Sequence, residues 1–286
     1  MATILVVGGT GLIGAPVARQ LQAAGHAVRV LTRNPEPAQA RFGPGFDVRG
    51  GDVEDPRALA AALFGCEGVH LSLDGGRDPD LERRGMTAIA RAARDLGVSQ
   101  ITYLSGATVD PRHAWYAGTQ AKLAAEEALR ASGVPFTIFR ATFFMESLAR
   151  YVRDGRASVV GAQPHRWHWV AASDFGRMVA RAFETPAAAG QTLTVAGPEA
   201  LTLREALTRY VALVHPGLAV NTLPLWLAGL FAALSPKGEL AARLPFFRYT
   251  EQVGESGDPA PANALLGAPR LTLEAWTRQR LAEADA

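Results

Sequence analysis

The sequence predicts an α/β protein in which a parallel sheet carries helices on both faces. Through about residue 140, short apolar and β-branched runs alternate with longer amphipathic stretches, as in a succession of βα units. Four of the helical stretches are followed by a glycine, the residue that commonly takes the left-handed conformation at a helix end. These glycines are Gly25, Gly65, Gly97 and Gly133. A glycine-rich turn also joins the first predicted strand to the first predicted helix.

The elements of this first part follow from the same patterns. Strands are predicted at residues 4–7, 28–32, 46–49, 69–73, 101–104 and 136–140. Helices are predicted near residues 13–24, 56–64, 81–96 and 120–131. Pro56, directly behind Asp55, occupies a first-turn position, where a missing N–H group is tolerated.

Beyond residue 141 the alternation fades into short strands, helices and proline-containing loops. Helices are predicted near 173–184, 202–214 and 271–283, and Thr202 and Glu205 stand at the spacing of a capping box. The chain has no internal repeat and no long linker. We therefore expect residues 141–286 to form a smaller α+β lobe, with some elements returning to the core built by residues 1–140, all within one structural unit.

The glycine-rich turn carries the functional prediction. Gly8, Gly11 and Gly14 form a GxxGxxG pattern directly after a predicted strand and at the start of a helix. Glycines at these places allow a tight turn and close approach of the backbone to a pyrophosphate, which the helix N-terminus attracts. This predicts a doubly wound Rossmann fold that binds a dinucleotide, with residues 141–286 as the substrate lobe. The turn residues expected at the cofactor are Gly8, Thr10, Gly11, Leu12, Ile13 and Gly14.

The end of the second strand indicates which dinucleotide is bound. An acidic residue there binds the 2′-hydroxyl of NAD(H), whereas an arginine pairs with the 2′-phosphate of NADP(H). The chain has no acid in the run from Val30 to Asn34, and Arg33 stands at this position. NADP(H) is therefore favoured over NAD(H).

These motifs resemble the NmrA-like branch of the atypical short-chain dehydrogenases. The resemblance covers essentially the whole chain and is carried by the turn motif, by Leu-Thr-Arg-Asn-Pro ending at Pro35, by Gly51-Asp-Val and by Val-Pro-Phe-Thr-Ile-Phe-Arg ending at Arg140. It implies a Rossmann fold with the cofactor across the strand ends. It further implies that Asp52 and Val53 lie beside the adenine and Ser72 near the ribose and pyrophosphate. Ser105, Lys122 and Phe143 would lie on the nicotinamide side.

The substrate side departs from the wider superfamily. Active members use Tyr-x-x-x-Lys, but Gly118 stands four residues before Lys122. Tyr116, six positions before the lysine, lies about 240° away on a regular helix and reaches that face only from a loop. Lys122 is therefore the main catalytic candidate and Tyr116 a weaker one. The apolar residues Phe143, Phe144, Met145, Trp167 and Trp169 line a substrate pocket or belong to the core.

Composition excludes several other classes. Lysine and arginine number 29 against 27 acidic residues, so the net charge of +2 does not imply nucleic-acid binding. A single cysteine, Cys66, excludes an intramolecular disulfide, and the histidines lack metal-ligand spacing, so no metal is expected. Without a signal peptide or membrane span in the sequence, we expect a cytoplasmic protein. The oligomeric state, including a homodimer, stays open.

Three functions remain. The preferred one is an NAD(P)H-dependent oxidoreductase that reduces a quinone-like or other small electrophile by hydride transfer, because a quinone accepts hydride without a dedicated tyrosine. The alternative is a non-catalytic NADP(H)-sensing regulatory protein, which the missing tyrosine favours. A nucleotide-sugar epimerase or dehydratase is weakened by the same absence.

Overall fold

The structure is a computed structural model that describes residues 1–73, 76, 78 and 80–284. The strands are β1 (Thr3–Val7), β2 (Ala27–Thr32), β3 (Asp47–Gly50), β4 (Gly68–Leu71), β5 (Gln100–Gly106), β6 (Phe136–Ala141), β7 (Val152–Arg153), β8 (Arg156–Val160), β9 (Arg166–Trp169), β10 (Gln191–Val195), β11 (Glu199–Thr202) and β12 (Val220–Leu223). The helices are α1 (Gly14–Ala23), α2 (Pro35–Phe42), α3 (Pro56–Leu63), α4 (Leu81–Asp95), α5 (Ala117–Ala131), α6 (Ala172–Glu184), α7 (Leu203–Val214), α8 (Leu225–Leu234), α9 (Glu239–Gln252), α10 (Ala260–Leu266) and α11 (Leu273–Ala284).

The chain forms two compact units. The first unit comprises Met1–Ala141, Ala172–Val195 and Asp258–Ala268. The second comprises Thr142–Ala171, Ala196–Gly257 and the chain from Pro269 onward. Two segments of the second half of the sequence therefore fold with the first unit. The roles expected of the two parts, cofactor binding and substrate binding, stay predictions.

The first unit is built on a seven-stranded sheet with the order β10-β6-β5-β4-β1-β2-β3. All neighbouring strands of this sheet are parallel. The chain runs from β1 outward to β3 and then restarts at β4 on the other side of β1, so the strand order reverses between β1 and β4. Open α/β sheets bind their ligands at the carboxyl ends of strands at such a reversal. The predicted doubly wound fold is confirmed.

Helices cover both faces of this sheet. Leu5 and Val7 pack in one buried cluster with residues of α3, α4 and α5, including Met86 and Leu129. Since side chains alternate along a strand, the neighbouring residues of β1 point to the opposite face. On that face α1 packs against α6.

Three elements of the first unit, α2, β10 and α10, were not predicted from the sequence. Helix α10 spans only seven residues, directly after Pro259. Helix α2 has prolines at both Pro35 and Pro37 and buries only Ala38 and Phe42, so its apolar periodicity is weak. Strand β10 comes long after the other core strands, and it joins the sheet only by pairing with β6. The remaining predicted strands and helices of this unit are present with shifted ends.

The second unit contains two small sheets, an antiparallel β11–β9 pair and a three-stranded sheet in the order β12-β8-β7. Its largest buried side chains, Trp167 and Trp169, pack with residues of α7 and α11. Helix α7 begins with the predicted capping box: the Glu205 N–H donates to Thr202 Oγ1 at 3.2 Å, and the Thr202 N–H donates to Glu205 Oε2 at 2.9 Å. Within the described residues, no helix has the length and apolar character that crossing a bilayer needs.

Candidate cofactor-binding and active site

The glycine-rich turn lies at the reversal of strand order. Gly8 follows β1 and has a φ of +77°, in the left-handed region that glycine adopts without strain. A Cβ atom on Gly8 would fall 2.3 Å from the backbone oxygen of Ser72, which follows the neighbouring strand β4. A Cβ atom on Gly14 would fall 2.2 Å from the Gly8 oxygen. The turn therefore requires glycine at both positions for its own packing.

Gly11 differs from its two partners. Its N–H donates to the Gly8 oxygen at 2.9 Å, which closes the turn. A Cβ atom added to Gly11 would meet only that same oxygen, at 3.1 Å, and Gly11 is exposed. The space beside Gly11 is thus left open by the protein and available to a ligand.

The N-terminus of α1 is not neutralised by the chain itself. Its N-cap residue, Ile13, provides no side-chain acceptor, and the first turn contains no acidic residue. The first amides of a helix lack intrahelical partners and carry a partial positive charge, so they attract an anion. Thr10 is half-buried and Leu12 is 37% exposed, so this part of the turn lies at the protein surface.

Two arginines, Arg33 and Arg41, are candidates for binding the 2′-phosphate of NADP(H). Arg33 directly follows β2 and is exposed, and its side chain has no ion pair among the described residues. Arg41, near the end of α2, was not predicted, and its Nη1 donates to the Thr10 backbone oxygen at 2.9 Å. No local sequence signal marks Arg41, because the contact depends on how α2 packs. A guanidinium other than that of Arg33 thus contacts the glycine-rich turn.

Asp52 and Val53 lie after β3. The Asp52 carboxylate accepts the Glu54 N–H at 3.0 Å, so it stabilises the turn that leads into α3. Val53 is 7% exposed and belongs to the core cluster of the first unit. These contacts are structural, and the adenine contact that the resemblance implies stays a prediction.

The two serines lie at the ends of adjacent strands but in different surroundings. The Ser72 N–H donates to the Val7 oxygen at 3.0 Å, and its Oγ lies 3.4 Å from Nε2 of His70. The Ser105 hydroxyl donates to Oε1 of the fully buried Glu126 at 2.6 Å. Ser105 is 3% exposed, so its hydroxyl serves a network inside the protein.

Glu126 is the centre of that network. Arg140 and Arg130 bind its carboxylate at 2.7 Å and 2.9 Å. Burial opposes ionisation of Glu126, but the hydrogen bonds from Arg140 and Ser105 outweigh it and hold the pKa of this carboxyl below its ordinary value. A buried anion thereby ties the end of β5 to α5 and β6.

Lys122 belongs to a second buried network. Its Nζ donates to Glu82 Oε1 at 2.7 Å and lies 5.6 Å from the centre of the Tyr103 ring. The Tyr103 hydroxyl donates to the same carboxylate oxygen at 2.7 Å. Burial and the adjacent carboxylate raise the pKa of Tyr103 well above its ordinary value, so the phenol stays protonated. The Lys122 side chain is 28% exposed, so it is only partly buried between α4 and β5.

Tyr116 is not part of a regular helical turn. It is the N-cap of α5, with extended backbone angles of φ −92° and ψ 124°. A Cβ atom at Gly118 would lie 2.6 Å from Cε1 and 3.2 Å from the hydroxyl oxygen of Tyr116. Because residues four apart share a helix face, the Tyr116 ring lies over the face that carries Lys122. The glycine at position 118 is what makes room for this ring.

Phe143 lies in the second unit. Its ring is half-buried and stacks 4.3 Å from that of Trp167 and 5.6 Å from that of Trp169, measured between centroids. Both tryptophans are almost fully buried, so they belong to the core of this unit. Nearby on β9, Nδ1 of His168 contacts the Glu255 carboxylate, which also accepts the His168 N–H at 2.9 Å. This His–Glu pair had no recognisable sequence signal, since the two residues are far apart in the chain.

The sequence matches the family described as NAD(P)H-binding over residues 8–186, from the first glycine of the turn to just beyond α6. The chain belongs to this NAD(P)H-binding family. The family membership expected from the motifs is confirmed. In the part of the chain that the structure describes, no three His, Cys, Asp or Glu side chains come together in a way that could hold a metal ion.

Curated relatives of the chain include several proteins named as reductases or oxidoreductases. It is 35% identical over 205 residues to the (4-alkanoyl-5-oxo-2,5-dihydrofuran-3-yl)methyl phosphate reductase of Streptomyces griseus, covering 71% of this chain and 70% of the relative. It is 29% identical over 206 residues to the NAD(P)H azoreductase of Xenophilus azovorans, covering 69% of each. It is 31% identical over 200 residues to quinone oxidoreductase 2 of Escherichia coli, covering 68% of this chain and 65% of the relative.

Solved structures share the fold. The crystal structure of an NADPH-dependent quinone oxidoreductase from Escherichia coli, in complex with NADPH, aligns with a TM-score of 0.75. The two chains are 23% identical, and the alignment covers 97% of this chain and 99% of the other. At this identity the likeness speaks for the fold alone.

Proposed function

We propose that this protein is an NADPH-dependent reductase that transfers hydride to a small, flat electrophile of the quinone type. The observation that carries the proposal is the glycine-rich turn, where the backbone, an uncapped helix N-terminus and an open space beside Gly11 combine into a pyrophosphate site. Its relatives are named as reductases of a dihydrofuranyl phosphate, of azo compounds and of quinones, which supports reduction as the reaction.

The residues of the chain fit an NADPH molecule. The turn from Gly8 to Gly14 would hold the pyrophosphate through backbone N–H groups, because a Cβ position at Gly11 meets no protein atom except the Gly8 oxygen and leaves room for the ligand. Arg33, without an ion pair of its own among the described residues, and Arg41, on the Thr10 oxygen, would bind the 2′-phosphate. When bound, NADPH supplies the hydride.

The protein's own contribution on the reacting side is orientation and charge. Glu82 and the Tyr103 ring hold the Lys122 ammonium in one position, and the Lys122 side chain as a whole remains partly exposed. An ammonium fixed in this way would orient a ribose hydroxyl and polarise a substrate oxygen. Reduction of a quinone requires no dedicated acid from the protein, because the oxygen of the reduced quinone is a weak base that solvent can protonate. Tyr116, whose ring lies over Gly118, is the candidate side chain for proton transfer.

The experiment that tests the proposal mixes the purified protein with NADPH and a panel of quinones, azo dyes and aldehydes and follows the absorbance band of the reduced nicotinamide. Saturable oxidation with a quinone or azo compound is the expected result. Gly11→Val, designed to block the pyrophosphate space, serves as the cofactor-free control. Oxidation that is equal in that variant would assign the activity to a contaminant.

A non-catalytic NADP(H) sensor is the second candidate. It is favoured by glycine at position 118 and by the engagement of Ser105 and Lys122 with buried carboxylates. Tight NADPH binding without oxidation of any acceptor would support it. The epimerase hypothesis has no comparable support, since Gly118 stands where the Tyr-x-x-x-Lys pattern has its tyrosine. A cytoplasmic location stays an expectation from the sequence.

A further inference from the structure

The second unit contains a basic cleft that the proposed reductase function does not use. Its volume is about 540 Å³, within the range of small-molecule sites. Four arginines line it, against two acidic residues, Asp154 and Glu239. The arginines are Arg150, Arg153, Arg156 and Arg243. They come from the segment before β7, from the β7–β8 hairpin and from α9, and all of these belong to the same unit.

Arg243 is held in place by aromatic rings. Its guanidinium carbon lies 5.6 Å from the centroid of the Tyr151 ring and 5.1 Å from that of Phe247. Such stacking fixes a guanidinium without neutralising its charge. Among the described residues Arg243 has no ion pair, and it is half-buried. It therefore offers pre-oriented N–H donors to an anion.

The hairpin adds two more cations at fixed positions. Asp154 and Gly155 form its tight turn with φ values of 49° and 68°, and Arg153 is directly opposite Arg156 in the register. Like charges opposite each other on paired strands are unfavourable. Glu239 on α9 pairs with Arg153, whereas Arg156 has no ion pair in the described part of the chain. An anion bound between these groups would offset the remaining repulsion.

The cleft also has an apolar side, formed by Val160, Leu240 and the rings of Tyr151 and Phe247. We propose that it binds a small organic phosphate, that is, a molecule with a phosphoryl group and a flat apolar body. A phosphoryl group has three acceptor oxygens, which suits the several guanidinium groups better than one carboxylate does. This site concerns the second unit alone, and its occupancy is independent of whether the protein reduces a substrate.

The test is a calorimetric titration of the full chain, saturated with NADP⁺ so that the dinucleotide site is already filled. The probes are 1-naphthyl phosphate, 1-naphthoate, 1-naphthol and inorganic phosphate. We expect 1-naphthyl phosphate to bind at least about tenfold more tightly than each of the others. 1-Naphthol lacks the anion, inorganic phosphate lacks the apolar body, and the carboxylate of 1-naphthoate has fewer acceptor oxygens than a phosphoryl group. Equal binding of 1-naphthoate or of inorganic phosphate would overturn the proposed ligand class.

Variants locate the binding. Arg243→Met and Arg156→Gln should each weaken 1-naphthyl phosphate about tenfold, the usual effect of one charge-assisted hydrogen bond. Arg278→Gln is the matched control, since Arg278 belongs to the same unit but pairs with Glu274 and does not line the cleft. Equal weakening in the control would refute the site. If Arg243→Met does not fold, the exposed Arg156 and Arg150 carry the test through Arg156→Gln and Arg150→Gln.

A lipid surface is the rival source of phosphate. Helix α8 exposes Trp226, Leu230 and Leu234 on one face, at 73%, 53% and 76%. The half-buried position of Arg243 favours a soluble ligand. Sedimentation of the protein with phosphatidic acid vesicles distinguishes a lipid surface from a soluble phosphate. If the protein sediments with them and does not bind 1-naphthyl phosphate, the arginines serve a membrane-facing surface and the proposal is wrong.

Discussion

Replacing Lys122 by methionine removes an ammonium group from the Glu82 carboxylate while keeping a long apolar side chain. In the wild type that carboxylate accepts hydrogen bonds of 2.7 Å from both Lys122 and the Tyr103 hydroxyl, and the Glu82 side chain is only 7% exposed. Lys122→Met leaves this buried anion with a neutral donor alone. The variant should therefore be less stable as well as less active, and the two effects must be separated.

The size of the stability effect follows from burial. Removing one partner of a buried ion pair costs about 3–5 kcal/mol, because the remaining charge has no compensation. Since the Lys122 side chain is 28% exposed and Tyr103 still donates to Glu82, we expect a smaller loss, about 2–3 kcal/mol in the free energy of unfolding. The double variant Lys122→Met with Glu82→Gln removes both charges. It should recover about 1–2 kcal/mol of that loss, as expected for directly coupled residues.

The assay combines urea unfolding with NADPH titration and the rate of quinone reduction for the wild type, both single variants and the double variant. If Lys122 acts on cofactor or substrate, the double variant regains stability but not kcat/KM or NADPH affinity. Strictly additive unfolding free energies would show that the Lys122–Glu82 pair is not formed. Recovery of both stability and activity would make Lys122 a structural residue and refute its proposed role.

Four further predictions follow from single positions. Gly11→Val should abolish NADPH binding in a folded protein, whereas Gly14→Ala should lower the free energy of unfolding by about 1–3 kcal/mol, because its Cβ would fall 2.2 Å from a backbone oxygen. Circular dichroism reports folding and titration reports binding, and normal NADPH binding by Gly11→Val would contradict the proposed pyrophosphate site. Arg33→Ala should weaken the binding of NADPH about tenfold and leave the binding of NADH unchanged. This is the lower end of the effect of a charge-assisted hydrogen bond, because the side chain is exposed, and an equal loss of affinity for both cofactors would contradict the NADP assignment. Tyr116→Phe should lower kcat/KM for a quinone by less than about tenfold, and a loss of about 100-fold or more would make it the proton donor. Burial lowers the pKa of His70 from its ordinary 6.5 to about 3, so the unfolded chain takes up a proton first and the free energy of unfolding falls as the pH drops below 6.5. At pH 5 the wild type should have lost about 2 kcal/mol more of this free energy than His70→Gln. Parallel pH profiles of the two proteins would exclude His70 as the cause.

Local sequence patterns were enough for the strand–turn–helix unit at the start of the chain. Gly11 and Gly14 determine the turn through their contacts with the nearby Gly8, and an apolar run on each side determines β1 and α1. The same reasoning located the core strands from β2 to β6 and most core helices, but not β10, because each located element has a periodic apolar pattern of its own. It failed for α2, whose prolines and small buried face leave little periodicity.

What the sequence by itself determined is the fold class, the dinucleotide-binding turn and the family, since these depend on periodicity and on residues close together in the chain. Only the tertiary structure decided the surroundings of Lys122, because Glu82 and Tyr103 come from α4 and β5, and the bonds at this carboxylate join residues 40 and 21 positions apart. It also decided that the Tyr116 ring lies over Gly118, since that depends on α5 beginning at Ala117 rather than a turn earlier. Charged side chains can be partnered in many ways along a sequence, and which partner is bound is fixed only when distant strands and helices pack together.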